Sequence, residues 1–471
     1  MTLGSLRDEP VDWRLSALEA GFIAMETDAQ PLHVGSLLVF EGPAPDHAAL
    51  RARLADRLAS TPTLRARLQR VPHDLGRPRW VDGGALSLDQ HVHRCEVEGP
   101  GDDGQLAQLV TQLMSDRLDL SRAPWQLWQV DECSDGRWAL VIKAHHSMVD
   151  GVSGADLMSA LLDQPDEPDQ PDLGQGPCAP PTASPAPLRE SLREWARSVP
   201  LRSARALARG VADPGGVARA WRSVLDGIEQ VVRPDLPASV LNGPLSPDRQ
   251  WAWVTLGAAE GRAAAEAAGG TVNDALLVAL AGAYRRLLVR RSEDVDRCVV
   301  RAIIPVSRRL PGEPMRLGTV ASAMFVDLPV SVPSLAERAA AVVARTAEQK
   351  GRRVSTSTQA VLRLADHVPT ALLVRAARGY VRRGQGRVNL AASNVRGPAS
   401  PRTLLGRPLL EMVPFIPIAL DVRSTVAMVS YGGRVSISVT TDASALPEAG
   451  EIAHDISDSL RELAAPRAIL A

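Results

Sequence analysis

The chain has 471 residues, 45% of them hydrophobic and 23% charged, with a net charge of −1. This is a globular composition, long enough for two domains or one two-lobed unit, and it offers no basic field for a nucleic acid. The four cysteines, Cys95, Cys133, Cys178 and Cys298, form no CxxC pair, which argues against a disulfide framework or a thiolate metal site. The N-terminal stretch MTLGSLRDEPVDW carries acids and no apolar core, so no signal peptide is expected. The longest apolar run, around Ala275 to Tyr284, is too short to cross a bilayer, and any membrane contact is therefore expected to be peripheral.

In chain order, Leu15 to Glu26 has helical spacing and His33 to Phe40 reads as a strand, with His33 as a satisfied structural histidine. Asp46 to Ser60 reads as an amphipathic helix ended by Pro62, with Arg51, Arg53 and Arg57 on a solvated face. His91, His93 and Cys95 alternate and would share one face of a strand. A closed metal site needs a fourth ligand that does not lie nearby, so no metal is expected. A helical segment from Gln105 to Asp119 leads to a strand opening at Trp125. Ser134, Asp135 and Gly136 supply the turn of a hairpin with Trp138 to Lys143.

That second strand ends in the stretch with the clearest chemistry, WALVIKAHHSMVDGVSG, Trp138 to Gly154. A buried apolar run delivers His145 and His146, then Asp150, and Gly151 and Gly154 release the backbone into a turn. Successive strand residues point to opposite faces, so one histidine faces a cleft and the other packs or hydrogen-bonds inside. An imidazole titrates near neutrality and can take a proton from a hydroxyl. Asp150 is placed to orient an imidazole or to brace the loop through an arginine.

A helix is expected from Gly154 to Leu162, followed by the acidic, proline-rich stretch Asp163 to Pro187, read as a linker or disordered loop. From Leu188 to Ser223 eight arginines stand against three acids, interleaved with Trp195 and Trp221. Such a segment either lies in an anionic membrane surface or packs as a charged interdomain helix. Thr271 or Asn273 caps a long apolar helix running to Leu288. Strands are expected at Cys298 to Arg309 and Val320 to Val330, helices across most of Arg338 to Arg387, then a strand, a Gly432–Gly433 hairpin and a final helix from Ala449 to Leu463.

The spacing HHSMVDG resembles the HHxxxDG motif of the acyl-CoA-dependent acyltransferases, which include chloramphenicol acetyltransferase and peptide-synthetase condensation domains. PLHVG at Pro31 to Gly35 is similar to the PMHVG-type strand entry of the wax ester synthase/diacylglycerol acyltransferase family. LDLSRAPW, LNGP at Leu241 to Pro244, Asn273–Asp274, PVSRR and NLAASNVRGP resemble further elements of that family. Two departures stand out: Leu317–Gly318–Thr319 where LGN is more usual, and Arg396 in place of an inner proline.

The resemblance implies an α/β (α+β) fold of two chloramphenicol-acetyltransferase-like lobes with an active-site channel between them. The expected divisions are an N-terminal lobe at 1–163, the linker and basic segment at 164–240, and a C-terminal lobe at 241–471. It implies an O-acyltransferase moving a long-chain acyl group from acyl-CoA to diacylglycerol, a long-chain alcohol or both. By the same resemblance His146 is the general base, His145 its inner neighbour, Asp150 and Gly151 the loop that holds them, and Arg309, rather than Arg301, the partner of Asp150. Asn273, Asp274, Ser393 and Asn394 are candidates for substrate or oxyanion contacts. No cofactor is expected, acyl-CoA being a co-substrate, and the expected setting is cytoplasmic, with peripheral contact at the inner face of the membrane or at a lipid droplet. The competing readings are a condensation-type or short-acyl transferase and an inactive lipid-binding paralogue. A serine hydrolase is disfavoured because no GxSxG elbow is present.

Overall fold

The computed structural model describes residues 12–59, 62–74, 76–84, 86–148, 161–163, 236–307, 321–351, 370–383, 385–398 and 400–465. The first half contains β1 (Asp12–Arg14), α1 (Ala17–Met25), β2 (His33–Glu41), α2 (His47–Ala59), β3 (Ala66–Gln69), β4 (Arg79–Asp82), β5 (Val92–Cys95), α3 (Asp103–Ser115), β6 (Trp125–Cys133) and β7 (Arg137–His145). The second half contains β8 (Arg249–Gly257), α4 (Ala258–Ala268), α5 (Val272–Arg290), β9 (Val300–Ser307), β10 (Ala321–Leu328), α6 (Leu335–Gly351), α7 (Thr370–Arg383) and β11 (Leu390–Arg396). After these come β12 (Thr403–Leu404), β13 (Arg407–Phe415), β14 (Ser424–Tyr431), β15 (Arg434–Asp442) and α8 (Ala449–Ala464).

Two six-stranded sheets organise these elements, in the orders β12-β13-β2-β7-β6-β5 and β10-β9-β11-β14-β15-β8, beside a small β1-β4-β3 sheet. β7 is buried from Trp138 to His145, as a central strand covered on both faces must be, which explains its unbroken apolar run. The β6–β7 hairpin turns through Asp135 and Gly136, both at positive φ. Gly35 of β2 lies where a Cβ would collide with the Ile142 carbonyl and the Met114 side chain, which accounts for the glycine of PLHVG. In the second half α5 is apolar around its circumference and buried from Asp274 to Tyr284, the expected state of a helix with no polar face. α8 covers it with Ile452, Ala453, Ile456 and Leu460 at helical spacing.

The first sheet is not built from the first half alone. β13, from the C-terminal part of the chain, pairs antiparallel with β2. Its Glu411, 7% exposed, accepts hydrogen bonds from the hydroxyls of Thr255 on β8 and Ser436 on β15, which joins the sheets through one buried carboxylate. Trp251 of β8 packs with Leu37, Val110, Val141 and Phe415 in the core between them. The sequence elements LNGP and NLAASNV meet as well. Asn389 Nδ2 donates to Asn242 Oδ1 at 2.6 Å, and Asn389 Oδ1 accepts from the Arg301 backbone N–H at 2.8 Å.

Two expectations are corrected here. Arg53 and Arg57 do not lie on a solvated face of α2; both guanidinium groups reach Asp163 Oδ1, at 2.6 and 3.1 Å. Asp163 itself, the first residue of the expected linker, is 5% exposed. Its Oδ2 accepts from Leu405 N–H at 2.8 Å, and its own N–H donates to Thr403 O at 2.8 Å. The spacing of Arg53 and Arg57 with the apolar Leu50 and Leu54 could not reveal a carboxylate a hundred residues away. Arg51 alone reaches outward, to the exposed Asp89. The second correction is His91, which lies outside β5 and is engaged by Trp125. Its Nδ1 is 2.8 Å from Trp125 O and its ring stacks on the indole at 4.6 Å.

Asp163→Ala would take from the buried Arg53 guanidinium the carboxylate that holds it, and is expected to cost about 3–5 kcal/mol of stability, measured by denaturant unfolding.

Candidate active site

His145 closes β7 directly opposite His33 of β2, and the two adjacent histidines then part. His145 is fully buried, whereas His146 is half-buried. The backbone fixes both: His145 N–H donates to Pro124 O and His146 N–H to Leu32 O, each at 2.9 Å.

The inner ring has a defined tautomer. Ser147 N–H donates to His145 Nδ1 at 3.1 Å, and the Ser147 hydroxyl lies 2.6 Å from the same nitrogen. Nδ1 is therefore an acceptor and the neutral ring carries its proton on Nε2. That nitrogen faces Glu26 Oε1 at 3.4 Å, an ion-pair distance rather than a short hydrogen bond. The same carboxylate accepts Leu32 N–H at 3.1 Å on Oε1 and the Arg117 guanidinium at 2.9 Å on Oε2. Burial works against its charge, but the interactions with His145, His33 and Leu32 outweigh it and hold Glu26 well below the usual carboxylate range. Ser147, His145 and Glu26 thus line up as serine, imidazole and acid. All three are buried, and the serine hydroxyl is spent on the ring, so the row braces the motif and offers no exposed nucleophile.

His33 is satisfied as expected. Leu118 N–H donates to its Nε2 at 3.2 Å, and its Nδ1 faces Met114 O at 3.4 Å. Burial pushes its imidazole down to about 4, opposed by the Glu26 carboxylate 3.4 Å from Nε2 and helped by the neighbouring positive charge of Lys143. Lys143 is itself buried, its ammonium donating to the carbonyls of Leu113 and Asp116 at the C-terminal end of α3. Burial lowers its pKa to about 8.

The outer ring, His146, stacks on Phe22 with centroids 4.6 Å apart and planes 18° from parallel. Phe22 and Glu26 are four residues apart on α1 and at its C-cap, and so share one helix face. One touches His146 and the other His145. Sequence reasoning passed over both; their i, i+4 spacing just before PLHVG is the signal that could have found them. α1 is set by a capping box in which Ser16 Oγ accepts Glu19 N–H and Glu19 accepts Ser16 N–H.

The remaining expected site residues fall in three places. Asp150, Gly151 and Arg309 lie outside the described residues, as do the helix after Gly154, linker residues 164–187 and the basic segment 188–233. Asp274 is buried at the third position of α5, where its carboxylate accepts from Thr271 N–H at 2.8 Å and the Thr271 hydroxyl at 2.7 Å. Thr271 is therefore the cap, and Asn273 stands beside it in the first turn, half-exposed. Ser393 and Asn394 occupy β11, Asn394 exposed and Ser393 half-buried. Arg301 is taken by Asp327, with Nε to Oδ1 at 2.6 Å.

The histidine pair stands at the end of β7, an inner strand of the first mixed sheet. The chain belongs to the wax ester synthase/diacylglycerol acyltransferase family: residues 15–276 match its catalytic domain and residues 317–464 its C-terminal domain. It is 30% identical over 453 residues to the probable diacylglycerol O-acyltransferase tgs1 of Mycobacterium tuberculosis, covering 96% of each chain. Among solved structures it is similar to the wax ester synthase/diacylglycerol acyltransferase of Marinobacter aquaeolei VT8, with TM-score 0.66, 24% identity, and 96% of this chain and 98% of that one covered. The fold is shared with the first condensation domain of the calcium-dependent antibiotic synthetase, at TM-score 0.58, 18% identity and 97% of each chain. The protein is thus an acyltransferase, as the HHSMVDG resemblance implied.

The buried charges set a pH dependence. His33 has a folded pKa near 4 against an ordinary 6.5, so below pH 6.5 the unfolded chain takes up a proton that the folded chain refuses. Stability is complete above pH 6.5 and falls as pH drops towards 4, by on the order of 3 kcal/mol from this residue. Glu26, with its folded pKa depressed, adds a loss in the same direction below the ordinary carboxylate range. Melting temperatures from pH 7 to pH 4 should show the fall, and His33→Gln should flatten it above pH 4.5; an unchanged slope would contradict the assignment.

Proposed function

We propose that the protein transfers a long-chain acyl group from acyl-CoA to the hydroxyl of diacylglycerol, of a long-chain alcohol, or of both, with His146 as general base. The observation that supports this most is the division of labour within HHSMVDG: one imidazole is locked inside by Ser147 and Glu26, and the other is half-exposed and held by a ring stack. The name of the mycobacterial relative supports diacylglycerol as acceptor, and the family description supports both acceptors.

In the proposed step His146 takes the acceptor's hydroxyl proton as the oxygen attacks the thioester carbonyl. The tetrahedral intermediate collapses with cleavage of the C–S bond, and the imidazolium returns the proton to the departing CoA thiolate. A thioester is already activated, so neither an acyl-enzyme nor a cofactor is required. Asn273 is proposed as a donor to the oxyanion, placed at the positive end of the α5 dipole. Ser393 and Asn394 are proposed to contact substrate from β11. Asp274, occupied by Thr271, would act by fixing the turn that presents Asn273. Asp150 is proposed to hold the loop through Arg309, since Arg301 is bound to Asp327.

Release of CoA from palmitoyl-CoA should depend on added hexadecanol or dioleoylglycerol, and the ratio of the two rates names the physiological acceptor class. His146→Ala should lower acceptor-dependent release by about 10²–10⁴-fold with folding retained. Release that survives in the variant would overturn the base assignment, and turnover with short-chain acyl donors only would overturn the substrate class.

A further inference from the structure

Among the described residues, no helix is long and apolar enough to cross a membrane, yet the proposed acceptors are lipids. Three large apolar side chains are exposed among those residues, and two of them, Leu372 at 57% and Tyr380 at 37%, stand on α7. They are eight residues apart, with the exposed Ala376 midway, and therefore lie along one outward stripe. The helix faces the protein with Thr370 and Val374, both buried, and Leu373 packs at the edge of the core.

The charge on α7 is one-sided. Its sequence, TALLVRAARGYVRR, has four arginines and no acid. Arg375, Arg378 and Arg382 follow i, i+3 and i+7 spacing, a second stripe beside the apolar one, and all three are exposed. Arg378 lies 3.9 Å from the partly exposed Asp74, a weak surface pair. Among the described residues, Arg375 and Arg382 have no carboxylate within ion-pair distance. An exposed apolar stripe beside arginines that are unpaired or, like Arg378, only weakly paired is the pattern of a helix lying in a bilayer interface: the apolar side chains enter the acyl boundary and the guanidinium groups reach lipid phosphates.

We propose that α7 is the surface by which this protein docks on an anionic lipid bilayer. Leu372 and Tyr380 insert, and Arg375, Arg378 and Arg382 contact the phosphates. The inference extends the acyltransfer reading in one respect: α7 packs against α1, the helix whose Phe22 stacks on His146, so docking by this face sets the candidate base beside the membrane that holds the acceptor. The phosphates of CoA could also attract arginines but do not account for solvent-exposed Leu372 and Tyr380 on the same helix, and a protein partner in place of a bilayer would leave the vesicles unbound.

The test is co-sedimentation of the full chain, without substrates, on vesicles of phosphatidylcholine alone and of phosphatidylcholine with phosphatidylglycerol. The wild type should bind the anionic vesicles and release at high salt. Arg375→Gln with Arg382→Gln should weaken binding by about fivefold for each arginine removed. Leu372→Asp with Tyr380→Asp should abolish it. Both variants should keep the wild-type circular-dichroism spectrum and melting temperature, which shows that they remain folded. Wild-type protein that binds neither vesicle, variants that bind as wild type, or arginine variants whose defect is a raised KM for acyl-CoA with vesicle binding intact would each overturn the proposal. Binding is read without turnover, so failure here leaves the acyltransfer reading standing, and the reverse also holds.

Discussion

Two adjacent histidines at the end of a strand must send their rings to opposite sides, and α1 meets both rings from one helix face. Glu26 takes the inner ring and Phe22 the outer one. On the inner side Ser147 fixes which nitrogen of His145 bears the proton, and that nitrogen faces Glu26 at 3.4 Å. A charged carboxylate at that depth is tolerated because Leu32 N–H and Arg117 also serve it. Once His145 cannot rotate, the peptide that follows is fixed as well, and His146 is presented in one orientation against an aromatic surface.

The sheets are joined by the same logic of partnered burial. β13 crosses from the C-terminal part of the chain to pair with β2, the strand that flanks the histidine strand. Glu411 on β13 returns hydrogen bonds to β8 and β15, and Leu420 N–H donates to Gln30 in the turn between α1 and β2. The position of α1, and through it both histidines, therefore depends on residues nearly four hundred positions downstream. Asp163 does similar work at the far end of the histidine segment, binding α2 and the β12 region at once.

Much of this was legible in the sequence. The strand and hairpin around Trp138, the long buried helix capped at Thr271, the Gly432–Gly433 hairpin and the final helix all follow from local periodicity and turn chemistry, and the structure contains them. The split between His145 and His146 follows from the two-residue period of a strand. What periodicity does not carry is long-range pairing of charges. Arg53 and Arg57 look like solvated residues until Asp163 is placed beside them, and Glu26 looks like a helix-terminal acid until the fold sets it under His145. Glycine at position 35 was visible as a motif letter, but its reason, the collision a Cβ would make with Ile142 and Met114, is tertiary.

The central claim is that Glu26 acts on catalysis only through the histidine pair, by orienting it, and a double-substitution cycle tests this most directly. In it, kcat for acceptor-dependent CoA release is measured for the wild type, Glu26→Gln, His146→Ala and the double variant, with circular dichroism confirming that each is folded. Glu26→Gln alone should lower kcat by about ten- to a hundredfold through misplacement of the base. In the His146→Ala background it should lower it no further, because there is no base left to misplace. Equal losses in both backgrounds would show that Glu26 acts independently of His146 and would contradict the account.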